Sequence, residues 1–203
     1  MIQGSDEWLH ARLGKVTASR VIDIIPSAKT GRYNASRKNY MAEKVIEILT
    51  GEPLGNFTNA AMEWGTETEP LARSAYEAET GNMVEEVGFI NHPTILDFGA
   101  SPDGVIDENL TLEIKCPNSA QHINLLTGGK VKRDYMYQME SEMMCCDANR
   151  CHFVDYDPRL PDNLSYILFA FTYDPDRRKE IEYEVNKFNA ELDEMLKKLK
   201  AIK

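Results

Sequence analysis

The clearest alternation of apolar and polar residues in the chain lies between positions 110 and 116. Four apolar residues alternate there with three polar ones, namely Leu110, Leu112, Ile114 and Cys116 with Thr111, Glu113 and Lys115. A period of two is typical of a half-buried β-strand, and it places Glu113 and Lys115 on one face. A preceding strand that ends at Pro102 and a turn over residues 107–109 would form a hairpin that brings Asp103 beside this pair.

Periodicity along the rest of the chain predicts further helices and strands. Helices are expected over residues 17–25, 36–49, 58–80, 119–126, 133–146 and 177–200, and strands over residues 83–91, 96–102, 150–156 and 165–173. Gly81 ends the third of these helices, and Pro70 inside it predicts a kink or a restart. This order favours an α/β protein with a central mixed β-sheet flanked by α-helices. The length of 203 residues favours one domain over residues 1–203.

Composition bears on the compartment in which the protein works. No apolar run approaches the ~20 residues of a membrane span, and the N-terminus lacks the basic-then-apolar pattern of a signal peptide. A cytoplasmic protein without membrane contact is therefore expected. The four cysteines, Cys116, Cys145, Cys146 and Cys151, lack the paired spacing of a zinc site and fit that compartment as free thiols.

The net charge of −10 argues against a protein that coats nucleic acid with one basic face. Its distribution is uneven, because residues 1–50 contain eight Lys and Arg against five Asp and Glu. A second basic cluster consists of Lys130, Lys132 and Arg133. An acidic exterior with local basic islands is compatible with DNA held in a confined channel, although ordinary surface charge is the simpler explanation.

Asp103 and Glu113 are candidates for a metal site. Two converging carboxylates repel each other unless a cation lies between them, and hard oxygen ligands with an open face suit Mg²⁺. Lys115 would neutralise part of the charge and orient a water or stabilise a phosphate in the transition state. The alternative is that Glu113 and Lys115 form a solvated strand face. No ATP site is expected, because residues 128–130 lack the remaining residues of a P-loop.

Seven short motifs resemble, in order, those of the PD-(D/E)xK nuclease superfamily, and more closely those of the phage lambda exonuclease-like family of viral recombination alkaline exonucleases. They are Trp8 with Arg12-Leu13-Gly14 and Thr17-Ala18-Ser19, Trp64-Gly65 with Glu69, Ser101-Pro102-Asp103-Gly104, Glu113-Ile114-Lys115-Cys116-Pro117, Gly128-Gly129, Tyr135-Met136 with Gln138, and Tyr156-Asp157-Pro158-Arg159. Each motif is unspecific, but the ordered set covers most of the chain and is specific.

The resemblance implies a Mg²⁺-dependent 5′→3′ exonuclease that acts on the ends of double-stranded DNA. It would release 5′-mononucleotides and leave 3′ single strands for recombination. Two Mg²⁺ ions per active site, for which Mn²⁺ can substitute, would be bound by Asp103, Glu113 and the Ile114 carbonyl. Lys115 would activate the attacking water, and the site would be completed by Glu69 and Gln138. Without the resemblance, Glu69 is equally well a surface glutamate of a helix.

The resemblance also implies a pocket for the 5′-terminal phosphate, formed by Arg12, Ser19 and Ser101. Met62, together with Trp8, would act as an apolar wedge at the DNA end. Without the resemblance, Met62 would simply be a core residue, and the alternative for Arg12 is an exposed ion pair with Asp6 or Glu7 near the chain start. The sequence departs from the family at Gln121, where an arginine near the DNA is expected, which puts one strand-positioning contact in doubt.

The family further implies a homotrimeric ring around DNA and a single-strand annealing protein as partner. A ring would sustain digestion without ATP. Two other readings remain open at this stage. One is an endonuclease or junction resolvase of the same fold, and the other is a catalytically silent module that binds DNA or a protein partner.

Overall fold

The computed structural model describes residues 1–54 and 59–202. Its α-helices are α1 (Asp6–Arg12), α2 (Ala35–Thr50), α3 (Ala60–Thr80), α4 (Ser119–Leu126), α5 (Arg133–Cys145) and α6 (Pro175–Lys200). Its strands are β1 (Val16–Thr17), β2 (Ile90–Asn91), β3 (Phe98–Ala100), β4 (Gly104–Asp107), β5 (Leu110–Lys115), β6 (Arg150–Tyr156) and β7 (Tyr166–Thr172). Two 3-10 helices cover Ala18–Asp23 and Asp162–Leu164.

The strands form two mixed sheets, so the predicted α/β class with mixed strands flanked by helices is confirmed. The larger sheet has the order β4-β5-β6-β7, in which β5 and β6 are parallel and the other pairs are antiparallel. The smaller sheet has the order β1-β3-β2. The sheets separate at Ser101-Pro102, where proline offers no backbone N–H to a ladder.

Helices cover both faces of the larger sheet. On one face Ala72 and Tyr76 of α3 pack with Leu112 and Ile114. On the other face α5 packs its methionines near Phe153, the neighbour of Glu113 in the adjacent strand. Strand β5 is therefore buried on both faces, and the expectation of a half-buried strand is wrong although its alternation of faces holds. A two-sided cover of this kind is usual where neighbouring strands are parallel.

Several predicted elements have different bounds in the structure. The predicted strand over 83–91 is reduced to Ile90–Asn91, preceded by a single bridge between Glu85 and Val105. Strand β3 pairs with β1 and β2, so the hairpin partner of β5 is β4, which begins only after Asp103. Residues 17–25 form the end of β1 and a 3-10 helix rather than an α-helix.

Helix α1 was not predicted, because it is only two turns long and begins at a Ser5 cap whose hydroxyl accepts a hydrogen bond from the Trp8 backbone N–H. Helix α3 continues through Pro70 without a restart and ends at Gly81, whose φ of 73° suits a residue without a Cβ. The predicted start of this helix at Thr58 lies outside the described residues, and the observed cap is Asn59.

All four cysteines are free thiols. Cys145 and Cys151 are buried, whereas Cys116 and Cys146 are half-buried. Burial raises the pKa of all four, to about 12 for Cys116 and Cys146. Among the helices that the structure describes, none has the length and apolar character needed to cross a bilayer.

Candidate active site

The candidate site lies where β5 ends and β4 begins. Asp103 immediately precedes β4, and its Oδ2 accepts a hydrogen bond of 2.6 Å from the backbone N–H of Ile114. This bond fixes Asp103 beside the strand that carries Glu113 and Lys115. Antiparallel pairing of Gly104 with Leu112 brings these chain segments together, so the three residues singled out from the sequence lie close together where β4 and β5 meet.

Glu113 and Lys115 form an ion pair through Oε1 and Nζ. The Glu113 side chain is fully buried, whereas the Lys115 side chain is 25% exposed. Burial alone would lower the pKa of Lys115, but the charges of Glu113 and Asp103 outweigh it, and the pKa is raised. Burial and then the charge of Glu113 hold the pKa of Asp103 well above its usual range. A solvated strand face is therefore excluded.

Helix α5 adds a third carboxylate to the site. The Gln138 Nε2 donates a 2.9 Å hydrogen bond to Oε1 of Glu142, one turn along the same helix. Glu142 is fully buried. Burial, followed by the charges of Glu113 and Asp103, raises its pKa well above the ordinary value. Sequence reasoning assigned Gln138 but gave Glu142 no role, although their spacing of four residues places both on one helix face.

Helix α3 contributes Glu69 from the other side of the sheet. Glu69 is half-buried, and burial raises its pKa, opposed by the charge of Arg73 and reinforced by Glu113. Arg73 holds Glu69 at 2.6 Å and Glu86 at 2.8 Å. Glu69 is therefore not a free surface residue. Arg73 was not predicted as a partner, although it follows Glu69 by four residues.

The donor set suits a hard divalent cation. Apart from the ion pair to Lys115, both carboxylate oxygens of Glu113 are buried without a hydrogen-bond partner, and so is Oε2 of Glu142. Buried oxygens of this kind need a cation or a proton. Within residues 1–54 and 59–202, however, no three Asp, Glu, His or Cys side chains are placed so that they could hold a metal ion together. The Ile114 carbonyl stays a predicted ligand.

A second group of predicted residues lies beside Asp103. The indole Nε1 of Trp8 donates a 2.9 Å hydrogen bond to the Ser101 hydroxyl, and the Arg12 guanidinium lies 3.9 Å from the centre of the Trp8 ring. Burial lowers the pKa of Arg12. Ser19 is exposed in the 3-10 helix, and no hydrogen bond within the described chain connects it to this group.

The surroundings of Arg12, Met62 and Gln121 differ from what their sequence positions alone would suggest or leave open. Arg12 makes no ion pair with Asp6, Glu7 or another acid among the residues described, so the predicted surface pair is wrong. Met62 is 50% exposed in the first turn of α3 and is therefore not a core residue. Gln121 lies on α4, where its side-chain oxygen accepts a 2.9 Å hydrogen bond from Lys132.

The motif at residues 156–159 joins neighbouring elements through Asp157 and Arg159, which together with Trp64 form what is called the clamp below. Arg159 donates to Asp157 from Nε at 2.7 Å and from Nη2 at 3.0 Å, and its Nη2 also lies 3.0 Å from the Pro117 carbonyl. Its guanidinium stacks 4.4 Å from the centre of the Trp64 ring. Burial would raise the pKa of Asp157, but the hydrogen bonds from Arg159 lower it to about 2. The clamp connects β6, the exit from β5, and α3.

An aspartate before a hairpin, with Glu-x-Lys on the second strand between two helical layers, defines the PD-(D/E)xK class of fold. Within that class the assignment is more specific. The chain belongs to the family of YqaJ-like viral recombinase domains, whose model matches residues 7–149.

Solved structures agree with this assignment. An alkaline exonuclease (LHK-Exo) from Laribacter hongkongensis is 48% identical, with a TM-score of 0.88 over 97% of this chain and 96% of that chain. The same values hold for LHK-Exo in complex with dAMP. A phage-related exonuclease from Haemophilus somnus is 15% identical, with a TM-score of 0.69 over 91% and 96% of the chains, and shares the fold. A comparison with curated proteins finds no match.

Proposed function

We propose that this protein is a Mg²⁺-dependent exonuclease that digests the 5′ strand of double-stranded DNA from its ends. It releases 5′-mononucleotides and leaves 3′ single strands for recombination. The observation that carries the proposal is the group formed by Asp103 and the buried Glu113 and Glu142 around Lys115. The identity of 48% with an alkaline exonuclease supports the reaction class, and the dAMP complex of that relative fits a mononucleotide product.

Asp103, Glu113 and the Ile114 carbonyl are the proposed metal ligands, with Glu142 close enough to add charge. When bound, Mg²⁺ supplies Lewis-acid stabilisation of the oxygens that attack and leave, and Mn²⁺ can replace it. A cation also relieves the repulsion that raises the pKa of Asp103 and Glu142. Two ions per site are proposed from the resemblance.

Lys115 keeps its proton because neighbouring carboxylates raise its pKa. An ammonium group of this kind orients the attacking water and stabilises charge on the phosphate, but it cannot accept a proton at neutral pH. Glu69 is better suited to accept the proton of the water, since burial raises its pKa. Gln138 provides a neutral donor that holds Glu142 without adding negative charge.

Arg12 supports a preference for 5′ ends. Its guanidinium is half-buried over Trp8 and has no carboxylate partner among the described residues, so its charge is available to an anion. Together with Ser101, and with Ser19 nearby along the chain, it forms the proposed pocket for a terminal 5′-phosphate. Met62, exposed at the start of α3, is with Trp8 the proposed wedge that separates the duplex end.

The assembly proposed for sustained digestion is a homotrimeric ring that needs no ATP. A single-strand annealing protein that coats the product strand is the proposed partner. A cytoplasmic location is proposed with them, since DNA ends and reduced thiols are found there.

Digestion of linear and closed circular duplexes tests the proposal against an endonuclease or a resolvase of the same fold. We expect linear DNA with 5′-phosphate ends to be degraded to mononucleotides in Mg²⁺, and covalently closed circles to remain intact. Cutting of the circles at a comparable rate would establish the endonuclease instead.

The Glu113→Gln variant tests the chemistry itself. The substitution keeps the shape of the side chain but removes one charge from a hard-cation site, so we expect cleavage to fall by on the order of 10²-fold or more, with DNA binding retained. Glu182→Gln, at an exposed position of α6, is the matched control. Near-normal turnover of Glu113→Gln, or inactivity of the wild type in Mg²⁺ and Mn²⁺, would support a silent binding module.

A further inference from the structure

We infer that a cavity next to Lys115 binds the nucleotide that follows the scissile phosphate. The base of this nucleotide would lie against Tyr135, and its next phosphate at Lys130 and Lys132. The inference rests on the proposed function, because it assigns a subsite to the strand that is cut.

The cavity has a volume of about 240 Å³. Its walls are formed by Ala120, Gln121 and Asn124 of α4, Lys130 and Lys132 of the following segment, and Tyr135 of α5. It opens at the carboxyl ends of β5 and β6, which are parallel neighbours. The carboxyl ends of parallel strands are where ligands bind in open α/β sheets.

The order of strands gives this cavity its place along the DNA. Asp103 precedes β4, Lys115 ends β5, and Asp155 of β6, which lines the cavity, pairs in register with Lys115. Ser101 and the cavity therefore lie on opposite sides of Lys115. If the terminal nucleotide extends from Ser101 to Lys115, the next nucleotide of the same strand reaches the cavity.

The chemistry of the walls fits a nucleotide. Tyr135 stacks on Phe153 with ring centres 5.8 Å apart and an interplanar angle of 29°, which fixes its orientation. The Nζ atoms of Lys115 and Lys132 lie 5.2 Å and 5.3 Å from the Tyr135 ring centre. An aromatic ring with two lysines close to it offers a surface on which any base can stack and charges for the flanking phosphates.

The walls are held in place before a ligand binds. Lys132 donates a 2.9 Å hydrogen bond to Gln121. A Cβ on Gly129 would lie 2.3 Å from the Asn124 side chain, so only glycine allows the lysine-bearing segment to lie so close to α4. At the base of the cavity Asp155 is within 2.5 Å of the buried His122, whose second nitrogen is 2.8 Å from the Leu164 carbonyl.

Kinetics on modified duplexes test the subsite. Two 5′-phosphorylated duplexes are compared, one intact and one with an abasic residue at the second position of the cut strand. For the wild type we expect KM for the abasic duplex to be higher by on the order of 10-fold, because stacking on Tyr135 is lost. Tyr135→Leu and Ala120→Trp, which remove the ring and fill the cavity, should bring the two KM values together.

Two controls separate the subsite from general damage. Tyr135→Phe retains the ring and should retain the difference between the duplexes, as should Lys198→Ala on the exposed end of α6. Equal KM values for the wild type, or a wild-type difference in both Tyr135→Leu and Ala120→Trp, would overturn the inference while leaving exonuclease activity intact. If the wild type cuts neither duplex, the proposed function fails, and the subsite fails with it.

The phosphate contact of Lys132 is tested by equilibrium binding, with Glu113→Gln used to prevent cleavage. We expect Lys132→Ala to weaken binding of a 5′-phosphorylated tetranucleotide and to reduce the slope of log affinity against log salt by about one. Lys198→Ala should leave both unchanged. A salt slope equal to that of the parent protein would remove Lys132 from the phosphate contact.

Discussion

Glu142 is the residue that changes the picture of the site most. The i, i+4 spacing from Gln138 was visible in the sequence, but a helix face can point to solvent, to the core or to a ligand. Only the packing of α5 on β5 determines that Glu142 faces Glu113. Alternation in β5 was enough to place Glu113 opposite Ile114, because period-two geometry is local. Burial between two layers is not local, and it could not be predicted from the strand alone.

The pKa of Glu142 leads to a prediction about stability. Burial and the charges of Glu113 and Asp103 raise this pKa in the folded protein, so its stabilising contribution is fully present below the unfolded pKa of ~4 and is lost as pH rises through the raised value. At pH 8 without metal, the free energy of unfolding of Glu142→Gln should therefore exceed that of the wild type by about 1 kcal/mol, and the variant should unfold at a higher temperature.

Calorimetry in chelator between pH 5 and pH 8 checks this prediction. The wild-type midpoint should decline more steeply with pH than that of Glu142→Gln, while Glu182→Gln should follow the wild type. If the unfolding midpoints of all three proteins change with pH in parallel, the pKa of Glu142 is not raised in the folded protein.

Arg12 leads to a prediction about the preference for 5′ ends. Its guanidinium lies on Trp8 without an acidic partner in the described part of the chain, and a terminal phosphate bears more charge than an internal diester. Arg12→Ala should therefore digest DNA slowly and lose most of the preference for 5′-phosphate over 5′-hydroxyl ends. Loss of the stacking contact should cost less than about 1 kcal/mol of folding free energy.

Rates on end-labelled duplexes with each type of 5′ end measure this preference. Arg32→Ala, an exposed arginine outside the group, is the control. Normal kinetics and an intact end preference in Arg12→Ala would remove Arg12 from the site.

At the scale of elements, the hairpin shows which features local sequence patterns predict and which they do not. The turn and the returning strand β5 were identified, because alternation and turn residues are encoded locally. The partner strand was predicted to end at Pro102, although it begins at Gly104. Residues 98–100 have apolar character suitable for either sheet, and only the pairing of β3 with β1, which is distant in sequence, decides between them.

The clamp of Asp157, Arg159 and Trp64 joins three elements and leads to a prediction about them. Arg159→Ala would leave the buried Asp157 charge without its main donors, and a cost of about 2 kcal/mol is expected after allowance for the partial exposure of Arg159. The pKa of Asp157 is about 2 in the folded protein, so this stabilisation is present above ~4 and is lost as pH falls through the folded value.

Urea unfolding at pH 7 and pH 3 measures both effects. The difference in free energy of unfolding between the wild type and Arg159→Ala should be smaller at pH 3, where Asp157 begins to be protonated in the variant. Arg150→Ala, whose ion pair to Asp107 is exposed on both sides, should change stability by less than about 1 kcal/mol. An equal difference in free energy of unfolding at both pH values would assign the role of Arg159 to its stacking on Trp64.

At the scale of the whole molecule, the α/β class followed from the order of elements, and the family followed from motifs in sequence order. The separation into two sheets did not, because it depends on a break at Ser101-Pro102 that looks like an ordinary strand end. The assembly is also invisible in a single chain. A cyclic trimer with head-to-tail interfaces would supply the tether that sustained digestion without ATP requires.

Light scattering under cleavage conditions tests the ring. We expect the mass of three chains, each of 23.1 kDa, and digestion that continues on one DNA molecule in the presence of a competitor. A monomer that is fully active and processive would contradict the proposal. The net charge of −10 makes low salt the more demanding condition, because repulsion between chains is then least screened.

The four cysteines have a practical consequence for experiments on single molecules. Their thiols are buried or half-buried with raised pKa values, and the thiolate is the form that reacts with maleimides. A cysteine introduced at the exposed Lys198 would therefore react much faster than the native ones at neutral pH. A fluorophore could be attached there without replacing any native cysteine, and the movement of the labelled protein along DNA could be followed directly.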